Sequence, residues 1–279
     1  MILLDNNQII IASLFQSIKY TQNMDEDFIR HLVLNTYRMY RTKFSRQYGE
    51  LVICHDSSRV WRKDFFPNYK KNRKKQQNKS QYDWNEIHNV MDLIREEIRT
   101  VFPYKNIGID KTEADDVIAV ICKHYHTTEK IVIVSSDKDF QQLQIYPNIK
   151  QYSPIKKKFL ECENPKNFLL EHILRGDSSD GVPNILSDDD VHINEDKRQK
   201  RLTKNKIESL YEEVKSGSIS ERPNWERNKT LIDLSCIPSE YEEKILEAYN
   251  TQETKGRENL LNYFIDKRLK NLMEHIGEF

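Results

Sequence analysis

The sequence predicts an α/β fold, a mostly parallel central sheet flanked by helices, followed by a smaller C-terminal helical domain. Three segments carry that expectation: Ile2-Leu3-Leu4-Asp5, Leu51-Val52-Ile53-Cys54-His55-Asp56 and Ile131-Val132-Ile133-Val134-Ser135-Ser136-Asp137-Lys138-Asp139. Each is a short aliphatic run without polar alternation, the pattern of a strand buried on both faces in a parallel sheet. Each also closes on an aspartate. Parallel sheets gather their chemistry at the carboxyl ends of the strands, so three distant segments deliver acids to one edge.

The remaining elements follow in order. Residues 25–44 carry a helical stripe of Phe28, Leu32, Tyr37, Tyr40 and Phe44. Residues 59–79 set Arg59, Arg62, Lys63, Lys70, Lys71, Arg73, Lys74, Lys75 and Lys79 against the single acid Asp64. Asp83 and Glu86 form a capping box for a helix whose apolar face is Ile87, Val90, Met91, Ile94 and Ile98, with Pro103 closing it. A strand near Ile107–Ile109 leads to Thr112 as N-cap of a helix through Cys122. Strands at 131–134 and Ile149–Tyr152 and a helix opened by Asn164-Pro165 complete the β/α alternation. Gly176 to Pro183 reads as a loop. Beyond it come helices at 203–215, capped by Thr203 and stopped near Gly217, at 239–249 with a Ser239/Glu242 box, and at 257–275. The expected division is 1–180, an α/β core carrying a basic region at 59–83, and 181–279, a helical domain.

With 279 residues, 37% hydrophobic and 32% charged, the chain is long enough for a sizeable core. Its 44 basic and 44 acidic side chains cancel, so clustering rather than net charge indicates partners. Cys54, Cys122, Cys162 and Cys236 form no CxxC pair, which suits a reducing compartment. Cys122 and His126 have i, i+4 spacing, but no second pair completes a zinc site; the other histidines invite bland roles. No segment has the ~18 uninterrupted apolar residues of a membrane span. The N-terminus lacks a positive n-region, and a cytoplasmic protein is expected.

Further acids join those at the strand ends. Glu113, Asp115 and Asp116 open a predicted helix, where capping explains one or two of them. Asp137 and Asp139, with one residue between them, are expected on one side of an extended segment. Asp177 and Asp180 sit in Gly-Asp-Ser-Ser-Asp-Gly, where a plain loop is the bland reading. Two carboxylates at ~4 Å repel by ~4 kcal/mol at an effective dielectric of 20, so such a pocket calls for cations. An all-oxygen donor set selects hard ions, Mg²⁺ or Mn²⁺. Two such ions ~4 Å apart suit phosphodiester hydrolysis.

The basic residues, with the aromatics Trp61, Phe65, Phe66, Tyr69 and Tyr82, offer phosphate contacts and base-stacking surfaces. A second basic block, 197–206, contains Lys200, Arg201, Lys204 and Lys206; it grips duplex backbone or is a charged linker.

The ordered set Glu113-Ala114-Asp115-Asp116, Ser135-Ser136-Asp137-Lys138-Asp139-Phe140 and Gly176-Asp177-Ser178-Ser179-Asp180 resembles the 5′-nuclease superfamily of flap endonucleases and 5′→3′ exonucleases. Arg62-Lys63-Asp64-Phe65-Phe66-Pro67-Asn68-Tyr69-Lys70-Lys71-Asn72-Arg73 is similar to the basic motif at the base of that family's helical arch. One branch of the family is matched further, through Leu231-Ile232-Asp233 and Ile237-Pro238 to Glu278-Phe279, so the resemblance covers nearly the whole chain.

It implies a PIN-like core with residues 59–83 as the arch, and two Mg²⁺ ions for which Mn²⁺ substitutes. Asp5, Asp56, Glu113, Asp115, Asp137 and Asp139 would hold the first ion. Asp116, Asp177 and Asp180 would complete the second site, with Asp137 and Asp139 shared and therefore catalytic. Lys70 and Arg73 would contact the scissile phosphate, Tyr69 would stack on a terminal base, and Arg62, Lys63, Lys71 and Lys74 would add to the nucleic-acid surface.

The implied activity is 5′ hydrolysis of RNA–DNA and DNA duplexes and of 5′ flaps. It would remove lagging-strand primers, as a monomer, beside a single-stranded-DNA-binding protein and a polymerase clamp. The family's glycine-rich hairpin after the Asp-Ser-Ser-Asp loop is replaced here by Pro183-Asn184-Ile185 and Ser187-Asp188-Asp189-Asp190. The acid triplet is expected as a solvated turn, with duplex contact passing to 197–206. Two rivals stand beside this reading. One is a non-catalytic nucleic-acid-binding module. The other is an aspartyl-nucleophile phosphatase, which needs a paired acid after the first strand where Asn6-Asn7 stand.

Overall fold

The computed structural model describes residues 1–279. Its six-stranded sheet has the order β3-β2-β1-β4-β5-β6, with β1 Ile2–Asp5, β2 Leu51–Cys54, β3 Lys105–Ile107, β4 Ile131–Val134, β5 Ile149–Ser153 and β6 Lys158–Leu160. Every pairing is parallel except that of β5 with β6. All three aspartate-terminated runs lie at its centre, with β1 between β2 and β4.

The helices are α1 Asn6–Thr21, α2 Glu26–Tyr48, α3 Trp61–Phe65, α4 Lys71–Lys79, α5 Trp84–Val101, α6 Ala114–Tyr125, α7 Pro165–Arg175, α8 Lys204–Ser216, α9 Pro223–Ile232, α10 Ser239–Thr251, α11 Leu260–Asp266 and α12 Lys270–Met273. A 3-10 helix, Lys138–Ile145, follows β4.

Strand alternation sends successive side chains to opposite faces. Ile2, Leu4, Ile53 and Val134 pack with Leu14, Val33, Tyr37, Ile94 and Ile98 from α1, α2 and α5. Leu3, Val52, Cys54 and Ile133 pack with Val117 and Ile121 of α6. The C-terminal elements return to these same layers. Ile237, Tyr241 and Ile245 join the α6 face, and Phe264, Leu272 and Phe279 join the other.

Several local expectations are corrected. Residues 6–21 are helical, opened by Asp5 itself as N-cap, and α9 and β6 were not anticipated. The third strand lies two residues earlier than expected, and the following cap is Glu113 rather than Thr112, because Glu113 and Asp116 close a reciprocal capping box. Asp83 caps α5 through the Asn85 and Glu86 amides without a returning glutamate bond. No side-chain cap from Ser239 is made, and α10 begins after Pro238. The last predicted helix is broken at Lys267–Leu269, where Arg268 adopts φ +54°. Asp137 is the N-cap of the 3-10 helix and accepts from the Asp139 amide at 3.0 Å, so the two acids do not share an extended segment.

One buried ion network ties the C-terminal segment to the core. Arg30 of α2, 1% exposed, meets Glu97 of α5 at 2.6 Å and Asp27 at 2.6 Å. Glu97 also receives Lys267 at 2.6 Å and the Tyr263 hydroxyl at 2.7 Å. Burial raises the Glu97 pKa, but hydrogen bonds from Arg30, Lys267 and Tyr263 outweigh it and hold the carboxyl below its ordinary value. Glu97→Ala removes the least exposed acid on Arg30 and leaves it Glu26 and Asp27 at the surface, which should cost about 2 kcal/mol in chemical denaturation at neutral pH. A depressed folded pKa stabilises above the unfolded glutamate pKa and stops doing so as pH falls through the folded value. The gap between wild type and variant should therefore narrow in acid.

Candidate metal centre and its basic border

Backbone hydrogen bonds at the sheet's carboxyl edge fix where the acids stand. Asp5, at the end of β1, accepts from the Gln8 amide at 3.2 Å and the Ser135 hydroxyl at 3.0 Å. Asp56, two residues past β2, accepts the Ala114 amide at 2.7 Å and so docks on the N-terminus of α6, where the helix dipole favours a carboxylate. Its other oxygen is met by Asn7. Asp115 lies in the first turn of the same helix, and Asp137 follows β4.

No salt bridge reaches Asp5, Asp56, Asp115 or Asp137. Burial, reinforced by the Asp56 charge, pushes the Asp5 carboxyl up to about 7. Burial and the charges of Asp137 and Asp5 push Asp115 well above the usual carboxylate range. Asp139 is raised to about 7 by burial and by Asp137. These acids form a pocket of uncompensated negative charge. Its donors are carboxylate oxygens, the set that hard divalent ions take, and the residues fit such ions.

A second group of acids is neutralised by the protein. Arg62, 2% exposed, lies 3.0 Å from Glu113 and 2.8 Å from Asp116. Glu113 also accepts the Tyr69 hydroxyl at 3.0 Å and the Lys70 ammonium. Burial opposes its ionisation, but Lys70 and Arg62 overcome this and hold the carboxyl at about 2. Asp116 is fully buried and accepts from Trp61 Nε1 at 3.1 Å and the Glu113 amide at 2.9 Å. Glu113 and Asp116 thus belong to an internal ion network rather than to the open pocket where they were expected.

The Gly176–Gly181 loop carries the rest. Gly176, at φ +69°, has no room for a side chain, since a Cβ would stand 2.4 Å from the Pro183 carbonyl oxygen. This turn lets Asp177 and Val182 exchange backbone bonds of 2.8 and 2.7 Å. The base of the basic segment clamps onto the loop: the Lys70 amide donates to the Asp180 carbonyl at 2.7 Å, and Asn72 Nδ2 to the Ser178 carbonyl at 2.8 Å. Gly181, at φ +72°, leaves space for Asn72, whose Oδ1 would be 3.1 Å from a Cβ there. Lys70 itself sits at φ +56°, a left-handed conformation unusual for a lysine, and heads α4 from that position. Its ammonium lies 3.5 Å from Asp180, which also receives Arg73 at 2.6 Å and the Tyr69 hydroxyl at 2.9 Å.

The basic border differs from expectation in two respects. Arg62 and Tyr69 are buried and committed to acids, so neither offers a free face to a base or phosphate. Trp61 and Phe66 are buried and Tyr82 packs on Phe15 at 5.3 Å, which leaves Phe65 as the exposed ring of the set. Lys63, Lys71, Arg73 and Lys74 are exposed, and α4 buries none of its residues. In the distal block, Lys200, Arg201, Lys204 and Lys206 are exposed, while Gln199 and the Lys200 amide tether it to Asn184 and Ser187. Asp190 and Asp188 of the acid triplet lie 2.8 and 3.5 Å from Lys197, and Asp189 meets Arg227. The Cys122/His126 pair forms no site, since Cys122 is buried and His126 stacks on Tyr146 at 4.2 Å.

Two residues escaped the sequence reading. Lys138, between Asp137 and Asp139, reaches Asp177 at 2.8 Å. His172, from the last turn of α7, lies between Asp177 at 3.0 Å and Asp139 at 3.5 Å. Burial works against Asp177 ionising, yet His172, Lys138 and Ser179 hold its carboxyl well below the usual range. Nothing in the spacing of His172 marks it; its place depends on how α7 docks.

Residues 1–170 match the family model described as 5′-3′ exonuclease, N-terminal resolvase-like domain, and residues 165–279 match T4 RNase H, C terminal. The first match alone spans more than half the chain and defines a nuclease of the 5′-3′ exonuclease class. Ribonuclease H of Enterobacteria phage T4 is 31% identical over 99% of this chain and 95% of its own length. The chain belongs to the family of that enzyme. A 5′-3′ exonuclease of Buchnera aphidicola is 32% identical over 49% of this chain and 48% of that protein.

Two solved structures share the fold. A bacteriophage T5 flap endonuclease in a pseudo-enzyme-product complex with DNA and metal ions has a TM-score of 0.65, 15% identity and coverage of 90% of this chain and 99% of that one. A T5 protein co-crystallised with metal ions has a TM-score of 0.62, 16% identity and coverage of 88% and 98%. No helix of this chain is long and apolar enough to cross a membrane.

The uncompensated pocket predicts a trade between stability and site. Asp115→Asn removes one of the mutually repelling charges and should raise the melting temperature of the metal-free protein by about 2–4 °C, the shift expected for roughly 1 kcal/mol. The same substitution should remove most of the stabilisation that millimolar Mn²⁺ confers on the wild type, as read by thermal unfolding.

Proposed function

We propose that this nuclease hydrolyses phosphodiesters at 5′ ends of RNA–DNA and DNA duplexes and at 5′ flaps, using two Mg²⁺ ions for which Mn²⁺ substitutes. The observation that carries the reading is the cluster of Asp5, Asp115, Asp137 and Asp139, none of which is paired by a lysine or arginine of the protein. In the family such sites are metal-dependent, and the T5 neighbours bear metal ions. Asp5, Asp56, Asp115 and Asp137 would hold the first ion, and Asp139, facing the Gly176–Gly181 loop, would hold the second. When bound, the ions would supply an activated water and stabilise the leaving oxygen.

The chain's own residues do the rest. Lys70 and Arg73 rest on Glu113 and Asp180 in the free protein, at the border between the acid pocket and α4. A phosphate arriving there competes with those carboxylates for the two cations, which then balance the charge that grows on it. Ser135 fixes both Asp5 and the turn after β4, accepting from the Asp137 amide at 3.1 Å, so the acids cannot drift apart. The exposed Lys63, Lys71 and Lys74 lie along the segment a strand would follow, and Lys200, Arg201, Lys204 and Lys206 offer a more distant duplex contact. Primer removal on the lagging strand, beside a single-stranded-DNA-binding protein and a polymerase clamp, is the setting that fits this activity. Membership of a nuclease family removes the reason for a phosphatase reading.

The test is cleavage of 5′-labelled RNA–DNA, nicked and flap substrates with and without Mg²⁺. Asp137→Asn should abolish cleavage while gel-shift affinity stays within a few-fold of wild type, because the basic surface is untouched. Equal loss of binding and cleavage would contradict this division. Lys70→Ala should lower turnover by about 10²–10³-fold, the cost of one preorganised charge at the reacting phosphate, and affinity much less.

A further inference from the structure

His172 stands out among the titratable groups at this edge because one of its nitrogens is idle. The ring is buried, 5% exposed, in the last turn of α7 with Phe168 tilted against it at 5.8 Å. Nε2 lies 3.0 Å from Asp177 Oδ2 and bonds to it. Nδ1 has no hydrogen-bond partner, and neither has Asp139 Oδ1, which faces it at 3.5 Å. Two buried atoms, each without a hydrogen-bond partner, thus face each other at 3.5 Å.

We propose that His172 Nδ1 and the Asp139 carboxylate are joint ligands of one divalent ion, with Asp177 behind the ring as the carboxylate that orients it. This inference rests on the two-ion reading above and names a nitrogen ligand that the acidic motifs do not contain.

Three observations support it. Adjacent ligands of an octahedral ion at ~2.1 Å lie about 3 Å apart, so a separation of 3.5 Å closes onto an ion with a small shift of either group. Asp177 is poorly placed to be a direct ligand itself. Its Oδ1 already accepts from the Ser179 amide at 2.8 Å and the Asp180 amide at 3.3 Å, and its Oδ2 from His172 and from Lys138 at 2.8 Å. Histidine ligands are commonly oriented by a carboxylate on their other nitrogen, and such a carboxylate fixes the proton on Nε2 and leaves Nδ1 as a lone pair. Asp139, His172 and Asp177 also present one donor atom each within 4.8 Å of one another.

An imidazolium shared by the two aspartates is the competing arrangement. It would place a proton on Nδ1 and a hydrogen bond to Asp139, and no such bond is formed. A nitrogen ligand also moves the preference of this position from Mg²⁺ toward Mn²⁺.

Pulsed electron paramagnetic resonance of the full-length, Mn²⁺-loaded protein reads this directly. Wild type should show electron-spin-echo modulation from a coordinated histidine nitrogen, and the pattern should change when histidine alone is labelled with ¹⁵N. In His172→Gln that modulation should vanish while Mn²⁺ at the other site remains bound. His55, the histidine nearest Asp56, has both nitrogens engaged by Asn6 and Asn106, so it should contribute nothing. Bound Mn²⁺ without histidine modulation in wild type would overturn the proposal and leave the two-ion reading intact, as would modulation that persists in His172→Gln. No bound Mn²⁺ at all would overturn both.

Discussion

Mutual repulsion among buried carboxylates is the constraint around which this molecule is arranged. Acids from five segments converge at the carboxyl edge of one sheet, and the fold divides them by how their charge is met. Glu113, Asp116, Asp177 and Asp180 are each matched by a side-chain cation: Arg62, Lys70, Arg73 or Lys138. Asp5, Asp115 and Asp137 are not, and Asp139 has only the distant ring of His172. The matched set is a rigid frame. The unmatched set is where external charge must enter.

The frame explains features that would otherwise be costly. A lysine at positive φ and a guanidinium almost wholly out of water meet at Glu113, and a glycine whose Cβ would collide with the backbone opens the loop that carries Asp180. Removing any one partner leaves another charge buried and alone, so these residues act as a unit. The same unit couples the basic segment to the acid pocket. Lys70 and Arg73 are anchored by the loop that carries Asp177 and Asp180, which places α4 beside the pocket without a long lever between them.

The positions of the central strands and the convergence of acids were legible in the sequence because both depend on local pattern. Ile2–Asp5 and Ile131–Val134 run as written, and Asp5, Asp56 and Asp137 reach one edge because parallel strands share a direction. The Asn164 and Thr203 caps are likewise local. What sequence could not give was the partner of each charge. Arg62 reads as one more member of a basic run, yet its side chain is drawn inward by Glu113 and Asp116, fifty residues away. Tyr69 and Trp61 look like stacking surfaces for the same reason and are instead donors to those acids. His172 carries no motif; only the docking of α7 on the loop after Gly176 brings it to Asp139. Residues 257–275 show helical composition throughout, but packing Leu269 and Leu272 into the sheet's outer layer requires the break at Arg268.

Divalent ions bound among these carboxylates are the central requirement of this arrangement. Anomalous diffraction from crystals of the full-length protein soaked in Mn²⁺ tests it most directly. Two peaks are expected at the carboxyl edge, one bounded by Asp5, Asp115 and Asp137 and one beside Asp139. A map with no peak among these carboxylates, or with manganese only at the exposed Asp188–Asp190 turn, would contradict it.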